Sequence, residues 1–333
     1  MILGPTAGGK SQFAVELAEA IGGEVLSADS MQVYRHMDAG TAKPPPQLRS
    51  RVPHHFIDIV EPNQRFTVAN WLKLAEQKIK QLQMLGVVPI VVGGTNLYLR
   101  ALLEGLFDGP AADEAVRERL LNLSPSELHD QLARVDPNAA QRIHPNDRKR
   151  LVRALEVREI TGRPITQWQQ QWNHKARPDP DDEKAQPDWQ SSSGQAPAHG
   201  SRHDPILIGL HWPVDAINRR INARVKLMFF PERGDRQEII EPHESLPAEV
   251  RRLLTLGILG PQSQQALGYK QVIEHIEGKM ALDQAFERTK VLTRRFAKNQ
   301  RTWFKRFTPL HWLECAHRDP RELVRESMEI ISA

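Results

Sequence analysis

A single cysteine, Cys315, leaves the chain without an internal disulfide and without the thiols of a cysteine-rich metal centre. Long apolar runs are missing too. The longest, Val87 to Val92, is broken by Pro89 and falls well short of the roughly 20 residues that cross a bilayer. No basic stretch followed by an apolar one opens the sequence, so no secretory leader is expected. Charge of one sign is scarce: 45 basic residues against 41 acidic ones leave only +4. Local clustering, not net charge, must therefore identify any polyanionic partner. No internal repeat is evident, which sets solenoids aside. What remains is a globular chain, expected in the cytoplasm and without a membrane partner. Its 333 residues suit one large domain or two modest ones, and 40% hydrophobic content is enough for a core.

Against these absences stands one dense motif. Gly4-Pro5-Thr6-Ala7-Gly8-Gly9-Lys10-Ser11 follows the pattern G-x-x-x-x-G-K-[ST]. Glycines let consecutive backbone N–H groups turn toward a phosphate, Lys10 adds a point charge, and the Ser11 hydroxyl suits Mg²⁺ at a helix start. The loop by itself does not specify a reaction, because it holds a nucleoside triphosphate or another diphosphate equally well. Only Met1-Ile2-Leu3 precedes it, where a strand of about five residues is usual.

The spacing of Phe13, Ala14, Leu17, Ala18 and Ile21 predicts a helix that Gly22-Gly23 stops. Glu24 to Ala28 and Val87 to Val92 read as strands, with a helix over Val68 to Leu85 between them. This alternation predicts an α/β fold, a parallel sheet flanked by helices with the P-loop at its active edge. Residues 111–143 turn helical and charged and read as an insertion after a first core segment, 1–110. The core is expected to continue over 144–333. Polar, Pro-containing insertions at 174–204 and 229–247 have little to bury, and the first reads as a solvated tract.

Asp29 falls at the end of a predicted strand, one crossover from the loop. A carboxylate there either orients Mg²⁺-bound water or accepts a proton from a nucleophile, and read as structure alone it caps the next turn. Thr95, after Gly93-Gly94, occupies the matching edge of the next strand. Arg220 and Arg224 share a helix face suited to a departing diphosphate. Arg288 to Arg306 holds eight basic residues and no acidic one. On a helical wheel Arg294, Lys298, Arg301 and Lys305 form one stripe, with Leu292, Phe296, Trp303 and Phe307 opposite as the docking face. A row of cations suits a nucleic-acid backbone better than a single phosphate. His54 and His55 have no partner at metal-ligand spacing and read as structural. An ATP-dependent small-molecule kinase shares the loop and Asp29 but has no need of the basic row; a non-catalytic RNA-binding protein has no need of the loop.

Further segments sharpen the choice. Asp29-Ser30-Met31-Gln32-Val33-Tyr34-Arg35, Gly40-Thr41-Ala42-Lys43-Pro44, Pro53-His54-His55 and Gly93-Gly94-Thr95-Asn96-Leu97-Tyr98 accompany the loop. His144-Pro145-Asn146-Asp147, Leu267-Gly268-Tyr269-Lys270 and Ala297-Lys298-Asn299-Gln300-Arg301-Thr302-Trp303 follow. Together, nearly end to end, they resemble the tRNA dimethylallyltransferases. That resemblance implies a P-loop NTPase-like core and transfer of a dimethylallyl group from dimethylallyl diphosphate to N6 of adenosine 37, beside the anticodon, in tRNAs reading UNN codons. It implies diphosphate binding by Gly4, Pro5, Thr6, Ala7, Gly8, Gly9, Lys10, Ser11 and Arg224, with Mg²⁺ on Ser11. Asp29 is then the base and Thr95 assists. Contacts to the tRNA anticodon stem-loop are implied for Asp29, Ser30, Met31, Gln32, Thr95, Arg117, Lys149, Arg150, Leu151, Val152, Arg153, Gly268, Tyr269, Arg294, Lys298 and Arg301. The expected form is a monomer.

Overall fold

A computed structural model of the chain describes residues 1–106, 109–169, 203–231 and 244–332. Six strands, β1 (Ile2–Leu3), β2 (Gly23–Ala28), β3 (His54–His55), β4 (Val88–Gly93), β5 (Ile208–His211) and β6 (His311–Glu314), form one sheet. Its order is β3-β2-β4-β1-β5-β6 and every pairing is parallel. The two-residue β1 sits centrally, Ile2 opposite both Val92 and Ile208. Strand C-termini in such a sheet open on one edge, where ligands bind. Near-continuous apolar strands fit a sheet covered on both faces. Four helices accompany this half: α1 (Lys10–Ile21), α2 (Pro46–Arg49), α3 (Val68–Met84) and α4 (Asn96–Glu104). Gly22 ends α1 in the left-handed conformation, and a Thr67–Asn70 capping box starts α3. Ile2, Phe13, Leu17, Val25, Ile90, Ile208 and Leu313 share one buried cluster beneath the loop.

The chain divides into two compact units, Met1–Leu103 with Pro187–Ala333, and Glu104–Gln186. The second contains α5 (Glu114–Leu121), α6 (Pro125–Val135), α7 (Pro137–Arg142), α8 (Arg148–Thr161) and α9 (Ile165–Trp168). It therefore extends past the boundary at 143 expected from sequence. The reason is packing: α8 lies against α5 and α6, and Leu151 and Leu155 join Leu120, Leu128 and Leu132 in one core. Asp113, Ser124, Asp136 and Asp147 each cap a helix with a side-chain oxygen, so the short helices of this unit start where their caps dictate.

The sheet-bearing unit is completed by α10 (Val214–Phe229), α11 (Leu246–Thr255), α12 (Tyr269–Ile276), α13 (Leu282–Phe304) and α14 (Pro320–Ser332). Most of the two expected polar insertions lies outside the described residues. Phe229, Leu246 and Pro247, assigned to the second insertion from sequence, are instead buried helix residues. A second correction concerns α13. Its buried seam is Ala285, Thr289, Thr293, Ala297, Gln300 and Phe304, not the Leu292–Phe296–Trp303 stripe, and Phe296 is exposed. The threonines tolerate burial because their hydroxyls donate to the carbonyls of Ala285 and Thr289, at 2.8 and 2.7 Å. Among the described residues no helix is long and apolar enough to cross a membrane.

Candidate active site

The segment from β1 to α1 folds as a tight cradle. Gly8 N–H donates to the Pro5 carbonyl at 3.1 Å. Ala7 and Gly9 take positive φ angles of 61° and 83°, and at Gly9 that conformation is why a glycine stands before the helix. Lys10 Nζ folds back to donate to the Gly4 and Pro5 carbonyls, both at 2.8 Å. From α10, Arg224 donates to the Thr6 hydroxyl at 2.9 Å and Arg220 to the Ala7 carbonyl at 2.8 Å. The two arginines expected on one helix face therefore both reach the loop. Trp212 Nε1 donates to the Gly8 carbonyl at 3.0 Å, and the Arg220 guanidinium lies 4.6 Å from its ring centroid.

Opposite the loop, β2 delivers Asp29 to the same edge. Its Oδ1 accepts from the Met31 and Gln32 N–H groups at 2.8 and 3.3 Å, which fixes the carboxylate in a turn. Thr95 Oγ1 accepts from Ser30 N–H at 3.0 Å, and Thr95 N–H donates to the Ala28 carbonyl at 3.2 Å. Gln32 accepts from the Ser27 hydroxyl at 3.0 Å and donates to the Thr41 and Ala42 carbonyls. Between these walls lies a cleft of about 170 Å³. Thr6 to Ser11, Asp29, Gln32 and Arg224 line it; Gly4, Pro5, Ser30, Met31 and Thr95 support the walls from outside that lining.

Electrostatically the cleft favours an anion. Burial lowers the Lys10 ammonium to about 8, with Asp29 opposing the shift and Arg224 adding to it. Burial also lowers Arg224, again against the pull of Asp29. Both cations are thus already partly stripped of water, and a bound anion would restore what desolvation removes. Oxygen donors, the Ser11 hydroxyl and the Asp29 carboxylate, face the same space and suit Mg²⁺. Among the described residues no cluster of three or more His, Cys, Asp or Glu side chains forms a ready metal site.

The other expected site residues divide sharply. Lys149, Arg150 and Lys298 are exposed. Arg117 and Arg153 hold the fully buried Glu156 at 2.8 and 2.6 Å. Leu151 and Val152 are core residues of the helical unit, so only their backbone is left to meet a partner. Tyr269 is likewise fully buried, its hydroxyl donating to Glu249 at 2.5 Å and accepting from Gly40 N–H at 3.3 Å. Gly268 beside it is buried at a φ of 93°. Arg294 bonds Asn222 at 3.4 Å, and burial lowers the partly covered Arg301. Three residues that sequence reasoning leaves structural or unassigned also belong here. His54 lines the cleft, its Nδ1 on the Val52 carbonyl at 2.8 Å and its buried Nε2 without a hydrogen-bond partner. Burial lowers this imidazole, which keeps it neutral near pH 7. Gln12 lines the cleft, and Gln300, buried behind that lining, accepts from Thr6 N–H from its place on α13.

A glycine-rich cradle at the C-terminal edge of a parallel sheet, with desolvated cations on one wall and a carboxylate on the other, defines a phosphate-loop protein built around an anionic group. The chain belongs to the IPP transferase family, whose model matches residues 32–307. An isopentenyl transferase model also matches residues 1–56. A tRNA dimethylallyltransferase of Syntrophobacter fumaroxidans is 41% identical over 99% of this chain and 88% of its own length. One from Geobacter sulfurreducens is 42% identical over 94% of this chain and 91% of its own. Among solved structures, a tRNA isopentenylpyrophosphate transferase from Bacillus halodurans superposes with a TM-score of 0.67 at 34% identity, covering 99% of this chain and 94% of that one. A eukaryotic dimethylallyltransferase acting on tRNA gives 0.74 at 25% identity, covering 99% and 78%.

Proposed function

We propose that the protein transfers a dimethylallyl group from dimethylallyl diphosphate to N6 of adenosine 37 in tRNAs that read UNN codons. The observation that carries this is the cleft itself, where Lys10 and Arg224 face Asp29 across a space sized for a small donor. In the reaction the N6 lone pair attacks C1 of the donor. The C1–oxygen bond breaks, the diphosphate leaves with the electron pair, and the N6 proton passes to the Asp29 carboxylate. Lys10, Arg224 and the backbone N–H groups of the loop stabilise the charge growing on the leaving group. Asp29, pinned by two backbone N–H groups, presents its carboxylate to the amine in a fixed direction. Thr95 holds the Ser30 backbone and so supports Asp29.

Mg²⁺ would be held by the Ser11 hydroxyl together with diphosphate oxygens and water, and it would neutralise the leaving group. The exposed Lys149, Arg150 and Lys298 are offered to tRNA phosphates. Adenosine 37 must leave its stack to reach Asp29, at a cost of a few kcal/mol that such contacts offset. A monomer in the cytoplasm is the form proposed.

The test is incubation with unmodified tRNA and either labelled dimethylallyl diphosphate or ATP. Label is expected in tRNA only from the prenyl donor, and none when adenosine 37 is replaced by guanosine. ATP turnover without tRNA modification contradicts the proposal and returns the kinase reading.

A further inference from the structure

Gln300 lies on α13, 2% exposed, and its carboxamide is engaged at both ends. Its Oε1 accepts from Thr6 N–H at 2.8 Å. Its Nε2 donates to the Gly94 carbonyl at 2.9 Å. The first bond holds the phosphate loop at the residue whose hydroxyl receives Arg224. The second holds the turn that carries Thr95, and through Thr95 the Ser30 backbone beside Asp29. One side chain therefore spans the donor wall and the acceptor wall of the cleft. The fit is close: a Cβ on Gly94 would meet Gln300 Nε2 at 2.1 Å, so a glycine stands there to admit the amide.

We propose that Gln300 is a positioning residue that sets the phosphate loop and the Gly93–Thr95 turn at a fixed separation, so that the leaving diphosphate and attacking amine are held in line. This inference rests on the prenyl-transfer reading and deepens it. Neither bond of Gln300 touches a reacting atom, and the Thr6 N–H it occupies is withdrawn from phosphate binding. Its contribution is distance and direction. Displacement of one wall by about 1 Å is enough to cost on the order of 10²-fold in rate. Glutamine suits the role because one planar group accepts and donates in opposite directions. Methionine matches its length without either bond, and glutamate keeps the acceptor but loses the donor.

The experiment compares wild type, Gln300→Met and Gln300→Glu in steady-state transfer from dimethylallyl diphosphate to unmodified tRNA, with tRNA affinity and thermal midpoint measured alongside. Wild-type transfer must be seen first; its absence overturns the prenyl-transfer reading and this inference with it. With wild type active, Gln300→Met is expected to lose about 10- to 100-fold in kcat, with KM for the donor and tRNA affinity within about threefold. Gln300→Glu retains the Thr6 bond but sets a carboxylate oxygen against the Gly94 carbonyl; it is expected to lose at least as much in kcat, and turnover of each variant is normalised to its folded fraction from the thermal melts. An unchanged kcat in either folded variant, or a loss confined to KM, overturns the inference while leaving the transfer reaction standing.

Discussion

Two buried charge clusters, one in each unit, are built on opposite principles. In the helical unit Glu156 is fully buried and satisfied by Arg117, Arg153 and the Asp113 N–H. Burial pushes its carboxyl up, but the hydrogen bonds from Arg153 and Arg117 outweigh that and hold it below its ordinary value. In the cleft, Lys10 and Arg224 are half-buried, and burial lowers both, yet their hydrogen-bond partners are carbonyls and a hydroxyl. The first cluster is closed around its carboxylate by two guanidinium groups, those of arginines that the resemblance also assigns to tRNA. The second is open, with cations kept in place by neutral groups until an anion arrives. A closed cluster contributes to stability; an open one contributes to binding and chemistry.

Substitutions should separate the two. Asp29→Ala removes the acceptor wall's base and is expected to slow transfer by roughly 10² to 10⁴ fold, with tRNA affinity little changed; turnover measured beside a tRNA-binding titration checks it. Near-normal turnover would take Asp29 out of the mechanism. Lys10→Met should cost roughly 10² to 10³ fold in turnover, the range of a lost preorganised donor, while the thermal midpoint stays level or rises because a desolvated cation is removed. Glu156→Gln should do the reverse. It removes the buried negative charge that Arg117 and Arg153 share and is expected to cost about 1–3 kcal/mol in denaturant unfolding, with turnover of the remaining folded enzyme unchanged. Equal effects from both substitutions, on either readout, would erase the distinction between the clusters.

The smallest expected effect is a pH dependence. Lys10 is lowered to about 8 from 10.5, and an anion in the cradle favours its charged form. Below pH 8 the free site is already protonated and donor affinity is flat. Above it, binding must take up a proton, so the donor dissociation constant should rise by up to about tenfold per pH unit toward the ordinary lysine value. Calorimetry of inorganic diphosphate in buffers of different ionisation heat reads this directly, and Lys10→Met should abolish the proton uptake.

Why one cluster is legible in the sequence and the other is not follows from their chain geometry. Gly4 to Ser11 is contiguous, its spacing is the chemistry, and Asp29 falls one strand away at the sheet edge. Their order along the chain is enough to name those residues. Lys149 to Arg153 is also contiguous, but on a helix neighbouring residues face different ways. Lys149 and Arg150 reach solvent, Leu151 and Val152 enter the core, and Arg153 turns to Glu156. A run of residues cannot be carried over as one surface. Tyr269 is hard to read for a related reason: its polar tip is satisfied inside, by Glu249 and Gly40, which no spacing in the sequence announces. Gln300 sits within a motif yet draws no notice there, since a helical wheel sorts charge from grease and has no place for a buried amide. Its role is visible only once Thr6 and Gly94, distant in sequence, are seen at its two ends.

If the open cluster holds a diphosphate leaving group, carbon and not phosphorus is attacked. A donor carrying one label at C1 and another in the diphosphate tests it in a single incubation with unmodified tRNA. The carbon label should enter tRNA at adenosine 37 and the phosphorus label should appear, mole for mole, as free diphosphate. Phosphorus label in the tRNA, or carbon label that never leaves the diphosphate, would contradict it.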